Sequence, residues 1–429
     1  MNSFSVINTK TLLDRLSAND ICLVDVRPAD AYNGWKLVGE CRGGHIPGAR
    51  SLPSIWAKYI DWIEIVFNKQ IWPDQEIVLY GYNTKHVEEV AERFQKAGYD
   101  KLSVYRQFME EWVTNDDLPL DRMPRYQHLV HPQWVRDVAD GKTPPGHPGG
   151  KTVICHAHYR NRDAYLSGHI PGAIDINTND LESPETWNRR SPAELKKTLE
   201  NHGITSDTTV ILYGKYMHPD NDDEFPGSAA GDIGAIRCAF IMMYAGVKDV
   251  RVLNGGFHAW EREGYDVHTD DIPKTPVADF GNDIPAQPRL AVDLEEAKTM
   301  IHSDKADLVC VRSLPEYLGE VSGYNYIEAK GRIPGAKFVN CGSDAYHMEN
   351  YRNLDYTTRE YHEIETIWRE AGLTPDKHLA FYCGTGWRGS EAWFNAWLMG
   401  WPNISVFDGG WFEWSNDPAN PYETGVPKK

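Results

Sequence analysis

One cysteine of this sequence stands where a reactive thiol is expected. Cys383 follows a β-prone apolar run, residues 379–382, and opens a short loop that holds three glycines and Arg388 before a helical pattern begins. A glycine-rich turn between a strand and a helix directs backbone N–H groups into one concavity, and the helix N-terminus adds the positive end of its dipole. This field favours the thiolate of Cys383, while Arg388 adds a cation suited to an oxyanion. The pattern predicts a nucleophile that attacks a group already carrying negative oxygens.

This loop belongs to the last of three copies of one sequence plan. A motif of the form Gly-x-Ile-Pro-Gly-Ala ends at Ala49, Ala173 and Ala336. Further on, an apolar run ends at Gly81, Gly214 or Cys383, and the spacings Gly to Val (six) and Val to Trp (eight) then recur in all three copies. Repetition at fixed spacing indicates a triplicated domain. Only the third copy carries a thiol at the strand exit, so the first two are predicted to be scaffold without a catalytic cysteine.

Each copy alternates short β-prone runs with helical patterns. In the third copy the runs are "DLVCVR", "GAKFVN", "LAFY" and "ISVF". Strands that alternate with helices predict an α/β fold of three tandem doubly wound domains, each a mainly parallel sheet with helices on both faces. Proline-rich stretches at 118–126 and 271–290 place the domains at 1–125, 126–285 and 286–429.

Composition restricts the partners and the compartment. The formal net charge of −18 argues against binding of nucleic acid and of anionic membranes, and no apolar run is long enough to span a membrane. Seven scattered cysteines fit free thiols in a reducing compartment. The N-terminus lacks the features of a signal peptide, so we expect a cytoplasmic protein, with a periplasmic one as the alternative if an export signal was removed. Packing of three copies within one chain can replace oligomerisation, so a monomer is expected.

The motifs in combination resemble the rhodanese (sulfurtransferase) family. The cysteine loop after "FY", a preceding "RIPGA" and a following "DGGW" carry the resemblance, and the three copies together are similar to three-rhodanese-domain bacterial thiosulfate sulfurtransferases. The resemblance implies that Cys383 takes a sulfane sulfur, holds it as a persulfide and passes it to an acceptor. It also implies that Arg312, in "CVRS", helps to bind the donor anion. The usual His of "GHIPGA" is Arg332 in the third copy.

Thiosulfate is the expected donor because it is a dianion, which two arginines can compensate. 3-Mercaptopyruvate is the alternative, since the loop opens in the style of enzymes that use it. The resemblance leaves the acceptor open among cyanide, a small thiol, a sulfur-carrier protein and a reductase. No cofactor or metal is expected. The residues predicted to bind substrate are Gly384, Thr385, Gly386, Trp387, Arg388 and Arg312.

Two further functional classes remain as alternatives. A cysteine phosphatase also pairs a low-pKa cysteine with an arginine, but its loop needs the two residues six apart, whereas Cys383 and Arg388 are five apart. A docking scaffold with a vestigial third copy predicts that Cys383 never acquires sulfur. The cluster of Cys155, His156 and His158 lacks zinc spacing, and the acidic stretch 218–225 is interpreted as a solvated insertion. Of the remaining cysteines, Cys41 is expected in an exposed loop and the others in the core, namely Cys22, Cys155, Cys238, Cys310 and Cys341.

Overall fold

The computed structural model describes residues 4–217 and 226–427, so the acidic stretch 218–225 lies outside the described residues. The chain divides into two compact units, Met1–Tyr126 and Gln127–Lys429. The first unit contains the first sequence copy, and the second unit contains the other two copies. Among the described residues, no helix has the length and apolar character needed to cross a bilayer.

Three five-stranded parallel sheets confirm the predicted fold class. The strands of the first domain are β1 (Ser5–Ile7), β2 (Cys22–Asp25), β3 (Arg50–Ser51), β4 (Ile77–Tyr80) and β5 (Leu102–Tyr105). Those of the second are β6 (Leu129–Val130), β7 (Thr152–His158), β8 (Ile174–Asn177), β9 (Thr209–Gly214) and β10 (Asp249–Leu253). Those of the third are β11 (Ala291–Val292), β12 (Ala306–Cys310), β13 (Lys337–Phe338), β14 (His378–Tyr382) and β15 (Ile404–Phe407). The third sheet has the order β11-β15-β14-β12-β13, and the other two repeat that order.

The connections between strands are helical. The first domain has α1 (Thr9–Ala18), α2 (Ala29–Asn33), α3 (Trp62–Asn68) and α4 (Thr84–Lys96). The second has α5 (Pro132–Ala139), α6 (Asp163–Leu166), α7 (Pro192–Asn201), α8 (Gly231–Ala245) and α9 (Gly256–Arg262). The third has α10 (Leu294–Met300), α11 (Leu314–Leu318), α12 (Tyr361–Glu370), α13 (Trp387–Leu398) and α14 (Gly410–Asn416). One π-helical turn, Phe108–Trp112, and short 3-10 helices complete the described connections.

The register of the third sheet places its chemistry at one edge. Strand β14 lies between β12 and β15, and Cys310 pairs with Tyr382 at the carboxyl ends of β12 and β14. The segments that begin at Val311 and Cys383 therefore leave the sheet side by side. Ligands of open parallel sheets bind at such carboxyl ends, where neighbouring connections diverge.

Helix α13 is buried on nearly every side, and its two charged residues, Arg388 and Glu391, are buried in ion pairs with Glu316 and Arg352. It begins at Trp387, directly after Gly386 in the left-handed conformation, and Gly400 with φ +82° follows its end. The sequence pattern predicts that the helix begins only after the loop that holds the three glycines and Arg388. Because the helix begins earlier, Arg388 lies in its first turn rather than in the loop. Helix α8 of the second domain packs against α13, with Phe240 edge-on to Trp393 at 5.1 Å between ring centroids.

Candidate active site

Cys383 leaves strand β14 at the carboxyl edge of the sheet and is 1% exposed. The loop that begins at Cys383 is fixed by hydrogen bonds from the segment that follows strand β15. The backbone N–H of Trp411 donates to the carbonyl of Cys383, and that of Phe412 donates to Gly384, each at 2.9 Å. The "DGGW" motif thus fixes the backbone of the cysteine loop, residues 383–386, from the side of β15.

Two glycines of the cysteine loop are required by its close packing. A side chain at Gly384 would overlap the ring of Tyr324, whose hydroxyl accepts the Gly384 N–H at 3.1 Å. Gly386 has φ +94°, which an L side chain rarely adopts, and it lies against the Asp408 carbonyl and the Arg237 guanidinium. One of the amides predicted to surround an anion is therefore committed to a tyrosine.

Arg388 is 1% exposed and forms a bidentate ion pair that sequence reasoning missed. Its NH1 and NH2 atoms donate to the two carboxylate oxygens of Glu316 at 2.9 and 2.8 Å. Burial disfavours both charges, but the pairing keeps the pKa of Arg388 well above its ordinary value and that of Glu316 below. NH2 also donates to the Tyr324 hydroxyl at 2.6 Å. A carboxylate therefore compensates the charge of Arg388, and the role of Arg388 in binding a donor stays a prediction.

Arg312 also differs from its expected setting. It is fully buried, its Nε lies 3.3 Å from Cys310 Sγ, and its NH2 donates to the Gly331 carbonyl at 2.5 Å. Its guanidinium stacks over the ring of Trp411 at 5.0 Å. Arg312 is not among the residues that line the pocket beside the cysteine loop. These contacts hold Arg312 within the third domain, and its role in binding the donor anion stays a prediction.

A pocket of about 300 Å³ opens beside the cysteine loop, between the second and third domains. Thr385, Trp387 and Arg388 contribute to its wall. The Thr385 side chain hydrogen-bonds to Tyr326. Six aromatic side chains, four of them from the third domain and two from the second, line the pocket: Tyr324, Tyr326, Tyr346, Trp387, Tyr159 and Trp187. Trp387 was predicted from the sequence to bind substrate, and the other five aromatic residues were not.

Tyr324 links the pocket to the nucleophile. Its hydroxyl oxygen accepts hydrogen bonds from Gly384 and Arg388. Burial raises the pKa of Tyr324 well above its ordinary value, and Cys383 lies near enough to act in the same direction. The tyrosine therefore remains protonated, and its O–H is a donor beside the thiol. No sequence motif surrounds Tyr324, so only the fold reveals it.

The wall from the second domain contains two residues in a strained conformation. Arg160 has φ +58° and Trp187 has φ +61°. A non-glycine residue in the left-handed region costs roughly 1–2 kcal/mol, and such residues concentrate at functional sites. The Trp187 indole stacks on Tyr326 with centroids 4.8 Å apart, and the Arg160 guanidinium lies over Tyr159. The second domain is thus part of the site although it has no nucleophile.

The strand-exit position of the second domain has no room for a side chain. A Cβ at Gly214 would overlap the backbone carbonyl of Gly231. The cluster on β7 is buried: burial raises the pKa of Cys155 to about 12 and lowers that of His156 to about 3. His158 pairs with Asp175 at 3.2 Å. These residues are neutral or paired groups of the second sheet. Outside it, Cys41 is exposed, Cys22 is half-buried and the remaining cysteines are buried.

The model of the rhodanese-like domain matches this chain three times, at residues 8–115, 158–263 and 293–417. The chain belongs to the rhodanese family. Its third domain alone combines the family's sheet with a cysteine at the strand exit, and the family resemblance inferred from sequence is confirmed. As a rhodanese-family protein it is a sulfurtransferase.

Two relatives of this chain have names that refer to sulfur transfer or sulfur carriage. A thiosulfate sulfurtransferase of Escherichia coli, YnjE, is 40% identical over 96% of this chain and 91% of its own length. A sulfur carrier protein of Thermus thermophilus, TtuD, is 31% identical over 61% of this chain and 87% of its own length.

Among solved structures, EanB is 63% identical, with a TM-score of 0.98 and 99% of both chains covered. The anaerobic ergothioneine biosynthesis enzyme of Chlorobium limicola, in complex with trimethyl histidine as its natural substrate, is equally similar and is covered over its full length. Another EanB structure holds ergothioneine linked to a persulfide cysteine. The cysteines, tyrosine and threonine named in the EanB variants have the same spacing as five residues of this chain: Cys310, Tyr324, Cys341, Cys383 and Thr385.

Proposed function

We propose that this sulfurtransferase passes the outer sulfur of a Cys383 persulfide to the imidazole ring of hercynine, the trimethylated betaine of histidine, to form ergothioneine. The observation that carries the proposal is the aromatic pocket beside the cysteine loop. The 63% identity to EanB, whose complexes hold hercynine and ergothioneine, supports it.

The pocket suits the chemical groups of hercynine. A quaternary ammonium binds to the faces of aromatic rings because it has no N–H donors and is weakly hydrated. Trp187 lies within ring-contact distance of both Tyr159 and Tyr326 in the pocket lining. Arg160, on the same wall, offers a guanidinium to the carboxylate of the betaine. With the two charged ends held there, the imidazole is directed toward the wall formed by Thr385, Tyr324 and the cysteine loop.

The transfer balances without a redox cofactor. The ring carbon between the two nitrogens attacks the outer sulfur of the Cys383 persulfide, so that a C–S bond forms and the S–S bond breaks. The carbon is oxidised and the sulfane sulfur is reduced. The ring proton moves to a ring nitrogen, and Cys383 leaves as a thiolate or thiol. The product contains one sulfur atom more than hercynine.

The surrounding residues have separate roles in this step. Tyr324 stays neutral and close to Cys383, and its O–H stabilises the departing thiolate by a hydrogen bond. Arg388 holds the Tyr324 oxygen in place, and Glu316 holds Arg388. Thr385 places its hydroxyl at the pocket wall, where it meets the acceptor ring.

Loading of Cys383 requires a donor of sulfane sulfur. The 40% identity to a thiosulfate sulfurtransferase favours a second candidate function, transfer from thiosulfate to a thiol or cyanide. In the loading step the Cys383 thiolate attacks the outer sulfur of thiosulfate and sulfite departs. Because Arg388 is paired and Arg312 does not line the pocket, a donor with one fixed charge such as 3-mercaptopyruvate suits this site as well as the dianion does.

The test separates the two candidates. The protein is loaded with donor, freed of excess, and mixed with hercynine, unmethylated histidine, a thiol or cyanide. Ergothioneine formation that is much faster than sulfuration of histidine supports the proposal. Persulfide that reacts with cyanide or thiol but not with hercynine overturns it in favour of the second candidate.

A variant adds a test of the aromatic wall. Trp187→Leu is expected to raise the KM for hercynine about tenfold, because a desolvated cation–π contact is lost. Trp72→Leu, an exposed tryptophan of the first domain, is the matched control and leaves the KM unchanged. Equal KM values for both variants and the wild type would argue against recognition of the quaternary ammonium by this wall.

A further inference from the structure

A buried ionic cluster connects the second domain to the cysteine loop. Its members are Glu182 and Arg237 of the second domain and Asp408 of the third, and each is at most 1% exposed. Arg237 Nε donates to Glu182 at 3.0 Å, and Arg237 NH1 donates to Asp408 at 2.6 Å. Burial raises the pKa of Glu182, while Arg237 and Arg189 keep that of Asp408 low. Fully buried charges are costly unless they are paired, and replacing them with apolar residues is often neutral or stabilising, so stability alone does not account for the cluster.

Each member of the cluster contacts a segment of the active site. Glu182 accepts the indole N–H of Trp387 at 2.8 Å. Arg237 NH2 donates to the backbone carbonyl of Trp187 at 3.1 Å. Asp408 is followed by two glycines and then by Trp411 and Phe412. The backbone N–H groups of Trp411 and Phe412 donate to the carbonyls of Cys383 and Gly384.

The cluster thus joins three parts of the site that belong to different elements. Trp187 lies on the second-domain wall, Trp387 begins helix α13, and Asp408 directly follows strand β15. Arg237 itself comes from helix α8, which packs along α13, and its guanidinium also lies against Gly386. Neither Glu182 nor Arg237 lines the pocket.

We propose that Glu182, Arg237 and Asp408 are positioning residues for sulfur transfer, by which the second domain sets the two pocket indoles against the persulfide of Cys383. This rests on the proposed function, because it assigns the pocket to the sulfur acceptor. It gives the second domain a role in catalysis that requires no nucleophile there. Glu182 contacts Arg237 and Trp387 and makes no hydrogen bond to residues 383–386, so persulfide formation on Cys383 should depend on Glu182 much less than transfer to the acceptor does.

The test uses Glu182→Gln, Trp387→Phe and the double variant. Glu182→Gln keeps the size of the side chain and removes its charge, and Trp387→Phe removes the indole N–H. Each single variant is expected to lower kcat/KM for hercynine about tenfold, as for loss of one charge-assisted hydrogen bond. Because both variants remove the same Glu182–Trp387 contact, the double variant is expected to lose clearly less than a hundredfold, with any excess over tenfold due to the Glu182–Arg237 pair. Cys383 persulfide formation, followed by mass spectrometry, should stay within about twofold of the wild type.

Trp134→Phe is the matched control, since its indole donates to the Pro145 carbonyl at 2.9 Å in the second domain but does not line the pocket. It should leave both half-reactions unchanged. If Glu182→Gln does not fold, the positioning role is tested by comparing Trp387→Phe, which should lose transfer to hercynine, with Trp134→Phe, which should not. Losses that multiply in the double variant, or that are equal in persulfide formation and transfer, overturn the positioning role. A wild-type protein that forms no ergothioneine refutes the proposed function and this inference together, whereas normal turnover by the variants refutes the inference alone.

Discussion

Replacement of Arg388 by glutamine separates a structural arginine from a donor-binding one. Arg388 and Glu316 are both buried, at 1% and 0% exposure, and are joined by two short hydrogen bonds. Removing the cation leaves Glu316 as a buried charge without its partner, which costs about 3–5 kcal/mol. At roughly 2–4 °C per kcal/mol for a body of this size, the melting temperature should fall by about 10 °C.

The same geometry predicts how activity responds. Because the guanidinium of Arg388 is held by Glu316 and Tyr324, its loss should reduce Cys383 loading equally from thiosulfate and from 3-mercaptopyruvate. The ratio of the two kcat/KM values should change less than about threefold, since no donor-specific charged contact is removed. The assays are thermal unfolding and kcat/KM with each donor.

Two further variants serve as controls for this prediction. Arg388→Gln with Glu316→Gln removes both charges and should recover much of the lost melting temperature. Arg332→Gln leaves Glu423 without this partner, but Glu423 is half exposed and can be solvated. The melting temperature should therefore fall less than in Arg388→Gln. A variant with normal melting temperature and a tenfold loss confined to thiosulfate would refute this reasoning.

Three other changes have distinct expected outcomes. Tyr324→Phe should slow transfer to hercynine about a hundredfold by removing the hydrogen bond to the departing thiolate, while loading of sulfur onto Cys383 changes little; equal losses in both half-reactions would argue against that role. Cys341→Ala should retain sulfur transfer in a standard turnover assay, because burial raises the pKa of this thiol and keeps it neutral; complete loss in a folded variant would contradict this. Burial lowers the pKa of His156 to about 3, so the unfolded chain takes up a proton first as pH falls below about 6.5 and stability is lost on acidification. His156→Phe should remove about 2 kcal/mol of the difference between urea unfolding at pH 7 and at pH 5, and an unchanged pH dependence would refute the buried neutral histidine.

The elements with local signals were predictable. The positions of β12, β14 and β15 were predicted correctly, because each of these strands is a short continuous apolar run bounded by turn residues. The position of Cys383 followed from the same logic, since a glycine-rich turn between strand and helix is contained within a few residues. The absence of a nucleophile at Gly214 was visible too, but its physical reason, overlap with the Gly231 carbonyl, required the fold.

The partners of the reactive loop were not predictable, because they are distant in sequence. Glu316 lies 72 positions before Arg388, and Glu182 lies 205 positions before Trp387. Spacing within the loop therefore suggested an arginine available to an anion, whereas the fold supplies a buried carboxylate. The pocket was missed for the same reason, since its walls come from two domains and Tyr324 lies in an irregular segment without a motif.

Mass spectrometry of the intact protein can follow one sulfur atom from the donor to Cys383 and from Cys383 to hercynine. After incubation with a sulfane donor and its removal, Cys383 should carry at least one added sulfur, and Cys383→Ser should carry none. Addition of hercynine should remove that sulfur and yield an equal amount of ergothioneine. A Cys383→Ser protein that still gains the sulfur, or a wild-type persulfide that persists in the presence of hercynine, would contradict the account.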